Sequence, residues 1–498
     1  MIVPDDFFQL AKNIPGFVLD ETRHSVRTFW INNTHEQYSQ HLFLQYYVRG
    51  KITQADHDSF HSYAKAVETL TLRSGLAYAK RSISPQVFLR LAQLQSPNGF
   101  LLPSLHHLRV VESTYLDYLE LFISPSLKTL EIGDLSLDVN PSSPFMSFLA
   151  QTVEVSPGLE TIVLGPHHLF QEILASCMKF KHLRHLEMFC APLPMIDSML
   201  NDVGSLEYLE ELVLQESTHM NSPTKSASPV STSENQGNLF HGLKTLIITA
   251  TLDLVEKVIR NVTSRGLRVL SLTVTQSSPS AKMTVDAITI RTINLVAERW
   301  GNKLVSVNIK ALDSGQGSPS LPPGFLRDLL CQPQIQTLEI TGFNIPAMDS
   351  EVRNIDRRHL FRSELQVLHL PTRGNNHIPL PRLRDIAEAF PNLSSLRCVL
   401  DIESSIPPPM DPLAHQLRAL SVTQDFYTGP DQHGVSLRMP AYIDCLFPNL
   451  VEMEVTSVGP EPCVSVGMRY GWLQVFDMVR VFQTVRANER ERLGVDQI

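Results

Sequence analysis

The sequence predicts an α/β solenoid, and three observations carry that prediction. One six-residue apolar phrase returns thirteen times, segments of helical periodicity lie between its copies, and short aromatic connectors lead into several of them. The phrase is Leu-x-x-Leu-x-Leu with aliphatic substitutions. It begins at Leu105, Leu127, Leu159, Leu183, Leu209, Leu243, Leu267, Leu304, Ile335, Leu365, Leu393, Leu417 and Leu450, in steps of 22 to 37 residues. Val67-x-x-Leu70-x-Leu72 reads as an outlying first copy. Within each copy the last four positions alternate inward and outward as a short strand does, and the first apolar residue turns inward where the chain enters that strand.

Between the strands, Phe145 to Leu149, Leu169 to Leu174, Asp253 to Ile259, Ile293 to Trp300 and Leu383 to Phe390 carry helical spacing. Connectors such as Phe180-Lys-His-Leu183, Phe240-His-Gly-Leu243, Phe390-Pro-Asn-Leu393 and Phe447-Pro-Asn-Leu450 place an aromatic ring where it can plug a helix end onto the next strand. Stacked strand-and-helix units would bury one another's leucines. The pattern resembles a leucine-rich-repeat solenoid, with a parallel concave sheet, convex helices and a continuous apolar core between them. A doubly wound α/β fold shares the alternation but not one hexad repeated thirteen times. The Asn or Cys that commonly follows the strand is replaced by Ser113, Leu135, His167, Ala191 and Ser217, so the solenoid is expected to be irregular.

The expected organisation is a helical N-terminal region over 1–66, a repeat region over 67–460 and a C-terminal helical cap over 461–498. The cap rests on the amphipathic stretch from Trp472 to Arg490, since terminal repeats must cover their exposed core. Residues 217–238 contain nine Ser or Thr and almost no large apolar residue, and read as a mobile insertion between repeats. Ser222-Pro223 and Ser228-Pro229 within it have the form of proline-directed phosphorylation sites, against the plainer reading of an unmodified spacer.

Composition narrows the function classes. With 43% hydrophobic and 19% charged residues among 498, the chain has apolar material for one large core or two to three domains. Its net charge of -9 supplies no global basic field, which disfavours a dedicated nucleic-acid binder or a protein drawn to anionic membranes. Prolines outnumber glycines 33 to 23, as expected for short elements separated by stiff turns. Six cysteines, at 177, 190, 331, 398, 445 and 463, form no close pair and read as reduced core thiols, which fits cytosol or nucleus. The acidic start Met1-Ile2-Val3-Pro4-Asp5-Asp6 is not a signal peptide, and no run of 18 apolar residues occurs. Sequons at Asn32, Asn261 and Asn392 are therefore expected to be unused.

Residues 48 to 72 carry a more specific pattern: Val48-Arg49-Gly50-Lys51-Ile52-Thr53-Gln54-Ala55-Asp56, then Phe60-His61-Ser62-Tyr63-Ala64-Lys65-Ala66-Val67-Glu68-Thr69-Leu70-Thr71-Leu72. This resembles the entry of mushroom-type fungal F-box proteins. In these, a basic stretch, a Thr-x-x-Asp helix start and a Phe-x-x-Tyr-Ala-x-x-Val-x-x-Leu passage lead into irregular leucine-rich repeats with Phe-Pro-Asn-Leu connectors. The resemblance covers about residues 48 to 460 and implies a substrate-receptor architecture. The family's three-helix docking module, which binds the adaptor subunit of a cullin-RING ubiquitin ligase, opens near Leu-Pro-x-Glu-Ile/Leu. Residues 1–47 show only the faint echo Pro4-Asp5-Asp6-Phe7-Phe8.

No catalytic or cofactor signature is present: there is no G-x-S-x-G, no phosphate-binding G-x-x-x-x-G-K-[ST] and no H-E-x-x-H. Gly315-Gln316-Gly317 lacks the third glycine of a dinucleotide loop and reads as a plain loop. His57 and His61 share a helix face but have no further ligand, and read as solvated. His182 with His185, His106 with His107 and His167 with His168 likewise read as loop or strand-edge residues. No cofactor and no metal are expected.

Recognition would then fall on the concave strand faces, at the third and fifth motif positions, which point to solvent. The candidate partner-binding residues are His107, Arg109, Glu131, His185, Glu187, Asn308, Glu339, His369, Arg397, Glu452 and Glu454. Acids outnumber bases there, which suits a protein or peptide partner of basic character; a merely solvated sheet face is the alternative. The sequence thus points to a non-enzymatic substrate receptor of F-box-like kind, with the N-terminal region as a possible adaptor contact. A repeat scaffold without a ligase connection is the second reading, and an enzyme a distant third.

Overall fold

The computed structural model describes residues 17–22, 43–48, 53–72, 81–83, 85–95, 99–134, 144–165, 171–190, 196–216, 240–275, 291–292, 294–312, 319–346, 348–353, 364–372, 376–401, 413, 415–424, 438–457 and 466–493. Asn32, His167, His168, Gly315, Gly317 and Cys463, and the 217–238 insertion with Ser222 and Ser228, lie outside them. The chain divides into two compact units, Met1–Leu243 and Lys244–Ile498.

In the first unit, β1 (Phe17–Thr22) runs antiparallel to β2 (Phe43–Val48), and β4 (Arg81–Ile83) joins β2 in parallel. Helical character expected for residues 1–66 is therefore confined, among the described residues, to α1 (Gln54–Ala64). Aromatic and β-branched residues in Phe17–Thr22 and Phe43–Val48 favour the pleated strand instead. A capping box starts α1, with Thr53 receiving the Asp56 amide while the Asp56 carboxylate accepts from the Thr53 amide at 2.8 Å.

The repeats of this unit supply β3 (Thr69–Leu72), β5 (His107–Glu112), β6 (Thr129–Asp134), β7 (Thr161–Leu164), β8 (His185–Cys190) and β9 (Glu211–Glu216), side by side and parallel. Connecting elements are α2 (Pro85–Leu94), a 3-10 helix (Ser113–Phe122), α3 (Pro144–Val155), α4 (Gln171–Cys177) and α5 (Ile196–Gly204).

The second unit repeats the design. Its sheet takes β10 (Thr245–Thr251), β11 (Val269–Thr275), β12 (Ser306–Ala311), β13 (Thr337–Thr341), β14 (Val367–His369), β16 (Ser395–Asp401), β17 (Ala419–Gln424) and β18 (Glu452–Ser457) in that order, all parallel. The short β15 (His377–Pro379) pairs with the far end of β16. Helices α6 (Leu252–Asn261), α7 (Phe325–Leu330), α8 (Met348–Arg353), α9 (Arg382–Ala389) and α10 (Arg438–Leu446) lie between strands, and α11 (Val466–Leu493) ends the unit against α10. Both units have the architecture of an irregular leucine-rich-repeat solenoid, fold class α/β.

The core follows the hexad. In every copy but the last, its first, fourth and sixth residues, such as Leu127, Leu130 and Ile132 or Leu393, Leu396 and Cys398, are buried; in the last, Leu450 is buried while Met453 and Val455 are half-buried. Each buried leucine contributes about 1.5–3 kcal/mol. The connector rings Phe180, Phe240, Phe390 and Phe447 are at most 1% exposed. Their carbonyls accept from the first leucine of the next hexad, as in Leu183 to Phe180 at 3.2 Å and Leu393 to Phe390 at 3.0 Å. Ser124 and Ser156 take the same place where no aromatic stands, Leu127 and Leu159 donating to their carbonyls. The Ser156 hydroxyl donates to the Ser124 carbonyl at 2.5 Å.

Candidate functional site

Parallel register turns the alternation of single strands into rows running across the sheet. In the first unit the third motif positions align as Thr69, His107, Thr129, Thr161, His185 and Glu211, and the fifth as Thr71, Arg109, Glu131, Val163, Glu187 and Val213. In the second unit the fifth positions align as Ile247, Ser271, Asn308, Glu339, His369, Arg397, Ser421 and Glu454, with Glu452 ending the third-position row. Apart from the buried Val213, these side chains are half-buried or exposed, and outside β18 their neighbours in the hexad's fourth and sixth positions are core.

Close polar pairs form within the rows. Glu131 pairs with Arg109 Nε at 3.2 Å, and His107 Nε2 lies 3.1 Å from the same carboxylate without hydrogen-bond alignment. His185 Nδ1 lies 3.0 Å from Glu211, and the Gln215 amide donates to Glu187 at 2.9 Å. In the second unit His369 Nδ1 is 3.3 Å from Glu339, while its Nε2 faces the Ser395 hydroxyl at 3.3 Å. Burial holds the His369 pKa below its ordinary value; Glu339 opposes that shift and Arg397 adds to it. Of these contacts only Arg109–Glu131 joins two permanent charges, so one acid of the rows is offset by an ion pair. Arg397 Nε and Ser421 Oγ, in register on adjacent strands, are buried with no hydrogen-bond partner among the described residues. Glu452 and Glu454 stand exposed on β18.

A further row escaped the sequence reading. The second motif positions of the first unit read Glu68, His106, Lys128, Glu160, Arg184 and Glu210, and their backbones form a ladder: Lys128 and Thr129 amides both donate to the His106 carbonyl, at 2.8 and 2.9 Å. Lys128 Nζ bonds Glu160 at 2.9 Å and Arg184 lies 3.9 Å from Glu210. The Lys128 hydrogen bond holds the Glu160 carboxyl below its ordinary range. Alternating charge at the second position was the available signal.

The histidine pairs resolve individually. His57 and His61 are half-buried, contrary to a solvated face, with Nε2 atoms 3.1 Å apart and His61 Nε2 2.8 Å from the Leu94 carbonyl, because the end of α2 lies against them. His182 leans on Tyr208, ring centroids 5.7 Å apart, whereas His185 joins Glu211. Among the described residues no group of three His, Cys, Asp or Glu gathers to hold a metal, and no helix is long and apolar enough to cross a membrane.

No family model matches the sequence, and no curated protein matches it. Solved structures similar to this chain include the TLR13–ssRNA13 complex, at 14% identity over 80% of this chain and 50% of that chain, with a TM-score of 0.36. The Rad7 and Elc1 complex in yeast is 15% identical over 71% of this chain and 80% of that chain, with a TM-score of 0.31. The Toll–Spatzle complex of Drosophila is 12% identical over 86% and 70%, with a TM-score of 0.23. The chain spans half the length of the TLR13 chain it matches.

Proposed function

We propose that this protein is a non-enzymatic recognition protein that offers its solvent-facing strand rows to a protein or peptide partner. We further propose that it is an F-box-like substrate receptor that presents the partner for ubiquitin transfer by a cullin-RING ligase. The observation that carries recognition is the continuous fifth-position row from Ser271 through Asn308, Glu339, His369, Arg397 and Ser421 to Glu454: polar, half-buried to exposed, and carried on successive parallel strands. Flat rows of small and charged side chains suit a macromolecular partner better than a small molecule, which needs an enclosing apolar pocket. A net charge of -9 argues against nucleic acid. Support for the ligase connection comes from the resemblance at residues 48 to 72, whose helix start is the Thr53–Asp56 capping box and whose Phe60, Ala64, Val67 and Leu70 are all buried.

The test is affinity purification of the tagged full-length chain beside a variant lacking residues 1–66, with mass spectrometry for ligase adaptor and cullin. Recovery with the full chain and loss with the truncation is the expected result. Absence of both subunits from both preparations would leave a repeat scaffold without a ligase connection.

A further inference from the structure

We infer that the cleft between the β17 and β18 entries and α11 is an anion site that takes a carboxylate-rich peptide segment of a partner. Its Arg418 and Val451 hold second motif positions, outside the fifth-position row proposed for recognition, and the site does not depend on the function proposed for that row. The cleft encloses about 690 Å³. Three arginines line it, Arg418, Arg486 and Arg490, together with the side-chain amides of Gln416, Asn449 and Gln483, and no carboxylate does.

Each wall is held in place. Trp472, Val475, Phe476 and Val479 bury the first half of α11, and Gln483, Arg486 and Arg490 follow on one face at i, i+3 and i+7. Gln483 donates to the Leu450 carbonyl at 3.0 Å, and Arg486 is ion-paired with Asp444 of α10. On the opposite wall Asn449 donates to the His415 carbonyl at 3.1 Å, and the backbone of Arg418 accepts from the Val451 and Glu452 amides at 2.8 Å. Preorganised donors of this kind lower the ordering cost of binding.

The cationic charge is incompletely compensated. Arg486 has Asp444, while Arg418 and Arg490 have no ion-pair partner among the described residues. Burial, then the neighbouring charge of Arg490, holds the Arg486 pKa below its ordinary value, so two like charges stand side by side where an anion would relieve them. Planar guanidinium forks match carboxylate oxygens in pairs. Three amides supply groups for a peptide backbone, and Val451, 69% exposed, supplies an apolar contact in the lining. No aromatic ring lines the cleft, which removes the stacking platform that a single-stranded nucleic acid uses.

Fluorescence anisotropy on the full-length protein at low ionic strength tests the assignment, with fluorescein-labelled hexaglutamate, hexaglutamine, a phosphoserine peptide and an oligo-dC as probes. Hexaglutamate is expected to bind and hexaglutamine not to. The double variant Arg418→Glu with Arg490→Glu is expected to weaken hexaglutamate binding by at least about tenfold. Both side chains are exposed, and an unchanged circular dichroism spectrum and melting temperature would show that the variant folds. Equal binding of hexaglutamate and hexaglutamine, or binding untouched by the double variant, would overturn the site. Binding of the phosphoserine peptide without hexaglutamate would overturn the carboxylate assignment, and oligo-dC binding as tightly as hexaglutamate would overturn the peptide assignment.

Discussion

Glu131 and Arg109 face each other across the β5–β6 register, Oε2 to Nε at 3.2 Å, and the same carboxylate reaches back to His107. One acid on the candidate face thus serves two neighbours on one strand. Arg109 is more than half exposed, so solvent screens the pair and its contribution to folding is small. A double-mutant cycle with Arg109→Ala and Glu131→Ala, followed by urea denaturation, is expected to give a coupling below about 1 kcal/mol. If the face binds a partner, Glu131→Lys weakens that binding while leaving the denaturation midpoint nearly unchanged. A large loss of stability would mark Glu131 as structural instead.

His415 is built into the backbone. Its Nε2 donates to the Phe390 carbonyl at 2.9 Å and its Nδ1 accepts from the Leu417 amide at 3.0 Å, which requires the neutral ring. Burial holds its pKa below the ordinary value, against the opposing Phe390 hydrogen bond. The unfolded chain takes up its proton at about pH 6.5, so this stabilisation is complete above that pH and is lost as pH falls toward the folded-state value. His415→Gln is expected to cost about 1–3 kcal/mol at pH 8 and to flatten the decline of melting temperature below about pH 6.5. Parallel pH profiles for both proteins would contradict this.

Cys177 and Cys398 are fully buried, and desolvation pushes both thiols up to about 12. Only the thiolate reacts. Iodoacetamide treatment of the native protein at pH 8 with peptide mapping is therefore expected to leave both unlabelled, and addition of denaturant to label both. Native labelling of either would mean that its repeat opens.

Gly342, directly after β13, has φ +75°, and a Cβ there would collide with the Ala311 carbonyl oxygen beside it. Gly342→Ala is expected to destabilise by about 1–3 kcal/mol or more. Gly158→Ala meets only the flexible tip of Lys128, at 3.4 Å, and serves as the near-neutral control within about 0.5 kcal/mol. Equal shifts of the two denaturation midpoints would remove the argument.

Much of this fold was legible because leucines at the fourth and sixth hexad positions fit a strand period and little else. Even the outlying Val67 copy became β3, with Leu70 and Leu72 buried. Helical spacing likewise marked α3, α6 and α9. The β1–β2–β4 sheet was missed because no hexad announces it, and the short β15 because a three-residue strand ending in proline carries almost no periodicity.

By itself, then, the sequence determined the repeat, the parallel strands and, Val213 apart, which strand positions carry the less buried side chains, since all three follow from a local period of two residues held in a regular stack. Tertiary structure alone decided which polar side chains meet. His107, Arg109 and Glu131 meet, and so do His369 and Glu339, only because register sets side chains from successive repeats within reach. The same is true of the arginine cleft. Arg418 stands at a strand entry and Arg486 and Arg490 on the last helix, far apart in sequence, and their proximity arises from the burial of Trp472 and Phe476, which fixes where α11 lies.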